Sequence, residues 1–123
     1  MPFDPSPLRE LADQIADLEG DEEMKLRAAV GRTYYAVFLV AREKTSVVAR
    51  ENIHSQVVYQ VKRRLSQIVG GKLDNLKQLR EAADYEYPPA DPSLQDWQAN
   101  WRDARRLADQ LLEKLANVRM KAF

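Results

Sequence analysis

Apolar residues recur every three to four positions along most of the chain, a period that predicts helices and no strands. The first such segment runs from about Pro7 to Leu18, where Leu8, Leu11, Ile15 and Leu18 share a face. Ser6 stands as its N-cap and Pro7 as its first helical residue, where a missing N–H costs nothing. Gly20 closes it. A second segment starts near Asp21, with Glu22 and Glu23 placed to suit the positive end of a helix dipole. Leu26, Val30, Tyr34, Val37 and Ala41 line one face of it. Tyr35, Phe38 and Leu39 widen that face until little polar surface remains, the mark of a central helix.

After a polar break over 45–52, a third segment carries Val57, Val58, Val61, Leu65 and Ile68. Valine favours strands, but the spacing here is that of a helix. Gly70-Gly71 is expected to stop it; the following Lys72 lacks the rest of a phosphate-loop pattern. The fourth segment spans Leu73 to about Tyr85 and ends before Pro88-Pro89, which cannot continue a helix. The fifth is capped by Ser93, with Asp96 in an approximate capping-box position. Leu94, Trp97, Trp101, Ala104, Ala108, Leu111, Leu115 and Val118 then form a heptad seam, packed into the bundle or in part against a partner chain. Trp97 and Trp101 read as core anchors before base-stacking platforms. Together these segments predict an all-α fold, an up-and-down bundle of four to five helices forming one domain over 1–123.

Composition narrows the functional classes. A chain of 123 residues can bury its own core, and the absence of cysteine removes disulfides and thiolate metal sites. The N-terminus lacks a signal-peptide pattern and the longest apolar run is too short to span a bilayer, so a cytoplasmic, non-membrane protein is the default expectation. The charges sum to zero but are unevenly placed: residues 1–24 carry −7, residues 25–80 carry +9 and residues 81–123 carry −2. A basic middle suits an anionic ligand such as RNA or a nucleotide. The alternative is that opposite charges pair across the bundle and cancel.

Most catalytic constellations are excluded by residue type. A single histidine without cysteine rules out the common zinc arrangements, and no Glu-x-x-His pair exists for a di-iron site, so neither metal nor cofactor is called for. His54, near the start of the third segment, could serve as a general base or phosphate ligand, or could cap the helix and fill the core edge. The densest polar cluster is Arg80, Asp84, Tyr85 and Tyr87 in LREAADYEYPP. Arg80 and Asp84 are spaced for an intrahelical ion pair. Asp84 could instead hold Arg32, which sits in the apolar second segment where an unpaired guanidinium would be costly. Arg80 with Tyr85 and Tyr87 could bind a phosphate and stack on a base, or could simply pack.

The segment GRTYYAVFLVARE at 31–43, then His54, then LREAADYEY at 79–87 and a long last helix resembles the HEPN superfamily of RNA-targeting and nucleotide-binding helical modules. The resemblance covers about Leu26 to Leu115 and implies a bundle of four or five helices, often dimeric. Active HEPN ribonucleases carry an arginine followed after four to six residues by a histidine, and HEPN toxins add a tyrosine and pair with a minimal nucleotidyltransferase antitoxin. Arg80 matches the motif arginine and Tyr87 the extra tyrosine, but Tyr85 stands where the histidine belongs. A phenol with a pKa near about 10 is a poor proton shuttle. Arg50 and His54 are spaced one residue short of the motif.

The resemblance therefore implies an RNA- or nucleotide-binding module, non-catalytic or weakly active, working with a nucleotidyltransferase-type partner. Arg80, Tyr85 and Tyr87 would meet the ligand while Arg32 and Asp84 tie two helices. Two alternatives stand beside it: an active ribonuclease toxin using Arg80 with His54, and a structural bundle that dimerises through its fifth helix.

Overall fold

Each stretch with a three-to-four-residue apolar period folds as helix, and no strand occurs among the described residues. A computed structural model describes residues 2–118; Met1 and residues 119–123 of the expected domain lie outside it. The helices are α1 (Ser6–Ala16), α2 (Glu22–Thr45), α3 (Ile53–Arg64), α4 (Gln67–Tyr85) and α5 (Trp97–Ala116), with a 3-10 turn at Pro92–Leu94 leading into α5. The all-α bundle of five helices is thus the fold of the described chain.

Short polar side chains set three of the helix starts. Asp21 accepts the N–H of Met24 at 3.0 Å, Ser66 that of Val69 at 3.0 Å, and Asp96 that of Ala99 at 3.1 Å. Each satisfies a donor that the first turn leaves open, which is worth about 1 kcal/mol. The last helix is therefore capped by Asp96 and not by Ser93. Ser93 lies in the 3-10 turn, where its N–H and hydroxyl both donate to Asp91. Asn100 fastens that turn to α5 by donating to the Leu94 carbonyl at 2.8 Å.

Ser66 also explains why Gly70-Gly71 does not end α3. It caps a new helix, so both glycines fall inside α4 and Ile68 is left exposed. Gly70 is there for closeness. A Cβ on it would lie 2.1 Å from Lys62 Cγ and 3.0 Å from the Lys62 Cα and N, so α3 and α4 touch at this point. Gly71 has open space where its Cβ would be.

α2 is the central helix and packs against each of the other four. Leu26, Val30, Tyr34, Val37, Phe38 and Ala41 are all buried. α1 runs antiparallel to it, the Phe3 N–H reaching Glu43 at 2.9 Å. α4 is antiparallel as well, because its C-terminal carbonyls meet Arg27 in the second turn of α2. α5 runs parallel to α2, with Gln98 bonded to Glu22 at one end and Lys44 to the Val118 carbonyl at the other. Between α2 and α3, Ser46 and Asn52 adopt positive φ angles of 56° and 52°. The chain turns back there and lays His54 against the middle of α2.

The heptad seam of α5 is spent within the chain. Trp97, Ala104, Ala108, Leu111 and Leu115 are buried in the bundle with Leu107, so a dimer built on Leu111 and Leu115 would have to open the core. α1 has the fewest buried residues: only Ala12 is fully buried and Leu11 is exposed, as is Leu18 beyond the helix end.

The two adjacent glycines separate helix propensity from packing. Gly71→Ala should raise stability by about 0.5–1 kcal/mol, as expected inside a helix. Gly70→Ala should lower it despite the same propensity gain, because the new methyl meets Lys62 backbone. Urea unfolding midpoints of the two variants check the opposite signs.

Candidate functional site

α2, α3 and α4 converge on one cluster of aromatic and charged side chains. Tyr34, fully buried in the middle of α2, places its hydroxyl 2.7 Å from His54 Nδ1 at the start of α3. Phe38, one turn further on, stacks on the His54 ring with centroids 4.2 Å apart. From α4, the Arg80 guanidinium lies 5.7 Å from the Tyr34 ring, 5.6 Å from Tyr35 and 5.2 Å from Tyr85. Three π faces around one cation offset part of the cost of removing it from water. Arg80 Nε donates to Asp84 at 3.0 Å and Nη2 donates to the Tyr85 hydroxyl at 3.3 Å. Nη1 makes no hydrogen bond among the described residues.

Glycine brings these helices close. A Cβ on Gly31 would sit 3.1 Å from Asp84 Oδ1, so the carboxylate that orients Arg80 rests directly on α2. Lys77 and Glu81, one turn earlier on α4, pair at 3.5 Å beside the cluster.

The setting shifts both titratable partners away from charge. Burial, then the neighbouring cations Arg80 and Lys77, hold His54 below the ordinary 6.5 of imidazole, with Glu81 opposing. Burial pushes the Tyr34 phenol well above its usual range, although Arg80 pulls the other way. At neutral pH the pair is a neutral imidazole bonded to a neutral phenol.

The fold brings Arg80, His54 and Tyr85 into this cluster and leaves out two of the residues expected there. α4 ends at Tyr85 and the chain is extended at Glu86, so Tyr87 lies instead beside Arg27, 5.1 Å from its guanidinium. Arg80, Tyr85 and Tyr87 do not share a single pocket. Arg32 does not pair with Asp84 either. It is exposed on α2, and Asp84 is bonded to Arg80. Arg50 is exposed and precedes the first residue of α3.

The arginine that ties α2 to α4 is Arg27, only 7% exposed. Its Nη1 donates to the carbonyls of Ala82, Ala83 and Glu86 at 2.9, 3.1 and 2.7 Å, and its Nε to Glu23 at 3.0 Å. It caps the C-terminus of α4, where the helix dipole favours a cation. Nη2 is buried without a hydrogen-bond partner, and Trp97 and Tyr87 lie over the guanidinium at 4.4 and 5.1 Å. Periodicity contains this signal. Arg27 precedes Gly31, Tyr34 and Phe38 by four, seven and eleven residues, which puts it on the core face that Arg32 misses.

Surface charge is balanced on one face and unbalanced on another. α1 and α5 are bridged by Arg9–Asp109 at 2.7 Å and Arg105–Asp13 at 3.6 Å, so there the charges cancel. α3 contains no acidic residue. Lys62, Arg63 and Arg64 in its last turn, and Lys72 on α4, have no ion-pair partner among the described residues. Tyr59 and Ile68 are exposed on the same two helices.

No protein-family model, no curated protein and no solved structure matches this chain.

Two outcomes follow from these placements. Arg27→Met, which removes the guanidinium donor from the carbonyls of Ala82, Ala83 and Glu86 and leaves Ala82 only its bond from the Glu86 N–H, should cost about 2–3 kcal/mol, whereas Arg32→Met should fall within about 0.5 kcal/mol of the parent in the same denaturation assay. His54 sets a pH dependence. Its folded pKa lies below its unfolded value, so the unfolded chain binds more protons once the pH drops below about 6.5. Stability is then lost as pH falls from there towards the folded value, and the loss on this account stops below it. Subtracting the profile of His54→Gln from that of the parent should isolate this acid-side loss.

Proposed function

We propose that this chain is a HEPN-like module that binds RNA or nucleotide phosphates, non-catalytic or weakly active, and works with a nucleotidyltransferase-type partner in a toxin–antitoxin or defence setting. The observation that carries the proposal is the state of Arg80. Its guanidinium is held rigid by Asp84, Tyr85 and two further tyrosine rings, yet Nη1 keeps its donors free among the described residues. An oriented guanidinium with unused N–H groups suits a phosphate oxygen.

Tyr85, 72% exposed and beside that guanidinium, offers a face on which a base can stack. Lys62, Arg63 and Arg64, at the far end of the acid-free α3 from His54, add a positive field along the helix that a longer polyanion could follow. Tyr87 has no part in this ligand site, since its partner is Arg27. A homodimer would bring two such clusters to one RNA backbone.

Fluorescence anisotropy with a labelled single-stranded RNA at low salt tests the reading. Arg80→Ala should weaken binding roughly tenfold or more, the loss of one charge-assisted bond, and lower the salt slope by about one. Arg105→Ala, on the charge-balanced face, should leave affinity unchanged. Equal affinity of Arg80→Ala and parent would end the proposal.

A second reading, an active ribonuclease using Arg80 with His54, draws support from one observation. Tyr34 touches both residues, through its hydroxyl and through its ring. Growth arrest on expression, relieved by His54→Ala, is what that reading requires.

A further inference from the structure

We infer that Tyr34 locks His54 in the tautomer whose proton is on Nε2, so that the cluster offers an anionic oxygen two kinds of donor, His54 Nε2–H and Arg80, and no vacant base. The functional half of this inference rests on the phosphate-binding reading above; the tautomer does not.

The Tyr34 hydroxyl is enclosed in the core, and its one hydrogen-bond partner among the described residues is His54 Nδ1 at 2.7 Å. Two neutral arrangements share that distance. If the phenol donates to Nδ1, its hydrogen is satisfied and the imidazole proton resides on Nε2. If Nδ1–H donates to the phenol oxygen, the hydroxyl hydrogen is stranded in the core. Buried donors without an acceptor are the rarer and costlier defect, whereas an oxygen with an unused lone pair is tolerated. The first arrangement wins.

Protonating the ring would recreate the second defect, since an imidazolium has only donors. It would also place a cation beside Arg80 and Lys77 of α4, opposed by Glu81, which Lys77 already engages. From α2 the ring is met by Tyr34 and Phe38, neither of which can stabilise a new charge by pairing with it. Stacking on Phe38 at 4.2 Å and on Tyr34 at 5.6 Å fixes the plane of the imidazole, and the bond to Tyr34 keeps Nδ1 inward within that plane, since a flipped ring would offer the phenol only a carbon.

The ligand class follows from the donors. A phosphate oxygen, which only accepts, is complementary to an Nε2–H and a guanidinium. A ribose 2′-hydroxyl seeking to lose its proton finds no nitrogen lone pair, because Nδ1 is occupied and Nε2 is protonated. Tyr34 is in this sense a positioning residue: it acts on the ligand through His54.

The chain holds a single histidine, so long-range proton–nitrogen correlation spectra of the full-length 15N-labelled protein report it without ambiguity. Near neutral pH the parent should show Nδ1 at a shift typical of an unprotonated nitrogen and Nε2 at that of a protonated one. Tyr34→Phe keeps the ring, and its amide spectrum verifies the fold; it should show averaging between tautomers. A protonated Nδ1 in the parent, or the same average in both proteins, overturns the inference.

Addition of inorganic phosphate, and separately of a single-stranded oligouridylate, should then move the Nε2–H resonance. If the tautomer is as stated but neither probe moves it, the donor role of His54 fails while the lock stands, and the Arg80→Ala anisotropy decides separately whether the phosphate-binding reading falls with it. If the oligonucleotide shifts a histidine protonated on Nδ1, the lock fails while the reading stands.

Discussion

A helix enclosed by four others cannot leave its polar groups to water, and α2 has several. Its guanidinium at Arg27, its phenol at Tyr34 and its close approach at Gly31 must all be answered from neighbouring helices. α4 answers the first with three C-terminal carbonyls and the third with Asp84. α3 answers the second with His54. Hydrophobic burial brings these helices together without direction. The polar bonds specify register, since a slip of one residue along any of them would strand a buried donor.

The same logic makes the candidate site a by-product of core construction. Arg80 and His54 lie on separate helices and neither touches the other through a hydrogen bond. Each is bound to a tyrosine of α2, so the site inherits the rigidity of the core. Clustering a cation with aromatic rings also lowers the local dielectric, which strengthens its interaction with any anion that reaches it. Between α1 and α5 arginines and acids cancel, whereas the basic excess of residues 25–80 survives at Lys62, Arg63, Arg64 and Lys72, which have no ion-pair partner among the described residues.

Much of the architecture was legible in the chain because period and capping are local properties. The central role of α2 follows from Leu26 to Ala41 being apolar on nearly every side. The seam of α5 follows from its heptad, whereas its choice of the bundle over a partner chain is read only from the burial of Trp97, Leu111 and Leu115. Where local signals compete, reading fails. Gly70-Gly71 has the form of a helix stop, but Ser66 had already opened a new helix and Gly70 serves a contact with Lys62 that only the folded pair reveals. The pairing of Arg27 with carbonyls escaped because backbone acceptors at a helix end carry no side-chain signature. Tyr85 and Tyr87 look equivalent in DYEY, yet the helix ends between them and sends them to different arginines. His54 lacks a partner nearby in sequence, and its partner is twenty residues away on another helix.

The contact at Gly70 has a reach beyond its own neighbourhood. Lys62 stands eight residues beyond His54 on α3, and Gly70 ten residues before Arg80 on α4, so at about 1.5 Å per residue each functional side chain lies roughly 12–15 Å from the touching point. Gly70 thus sets the spacing of the two helices at the end remote from the site. A single added carbon there should be felt by the histidine and the arginine without a change to either.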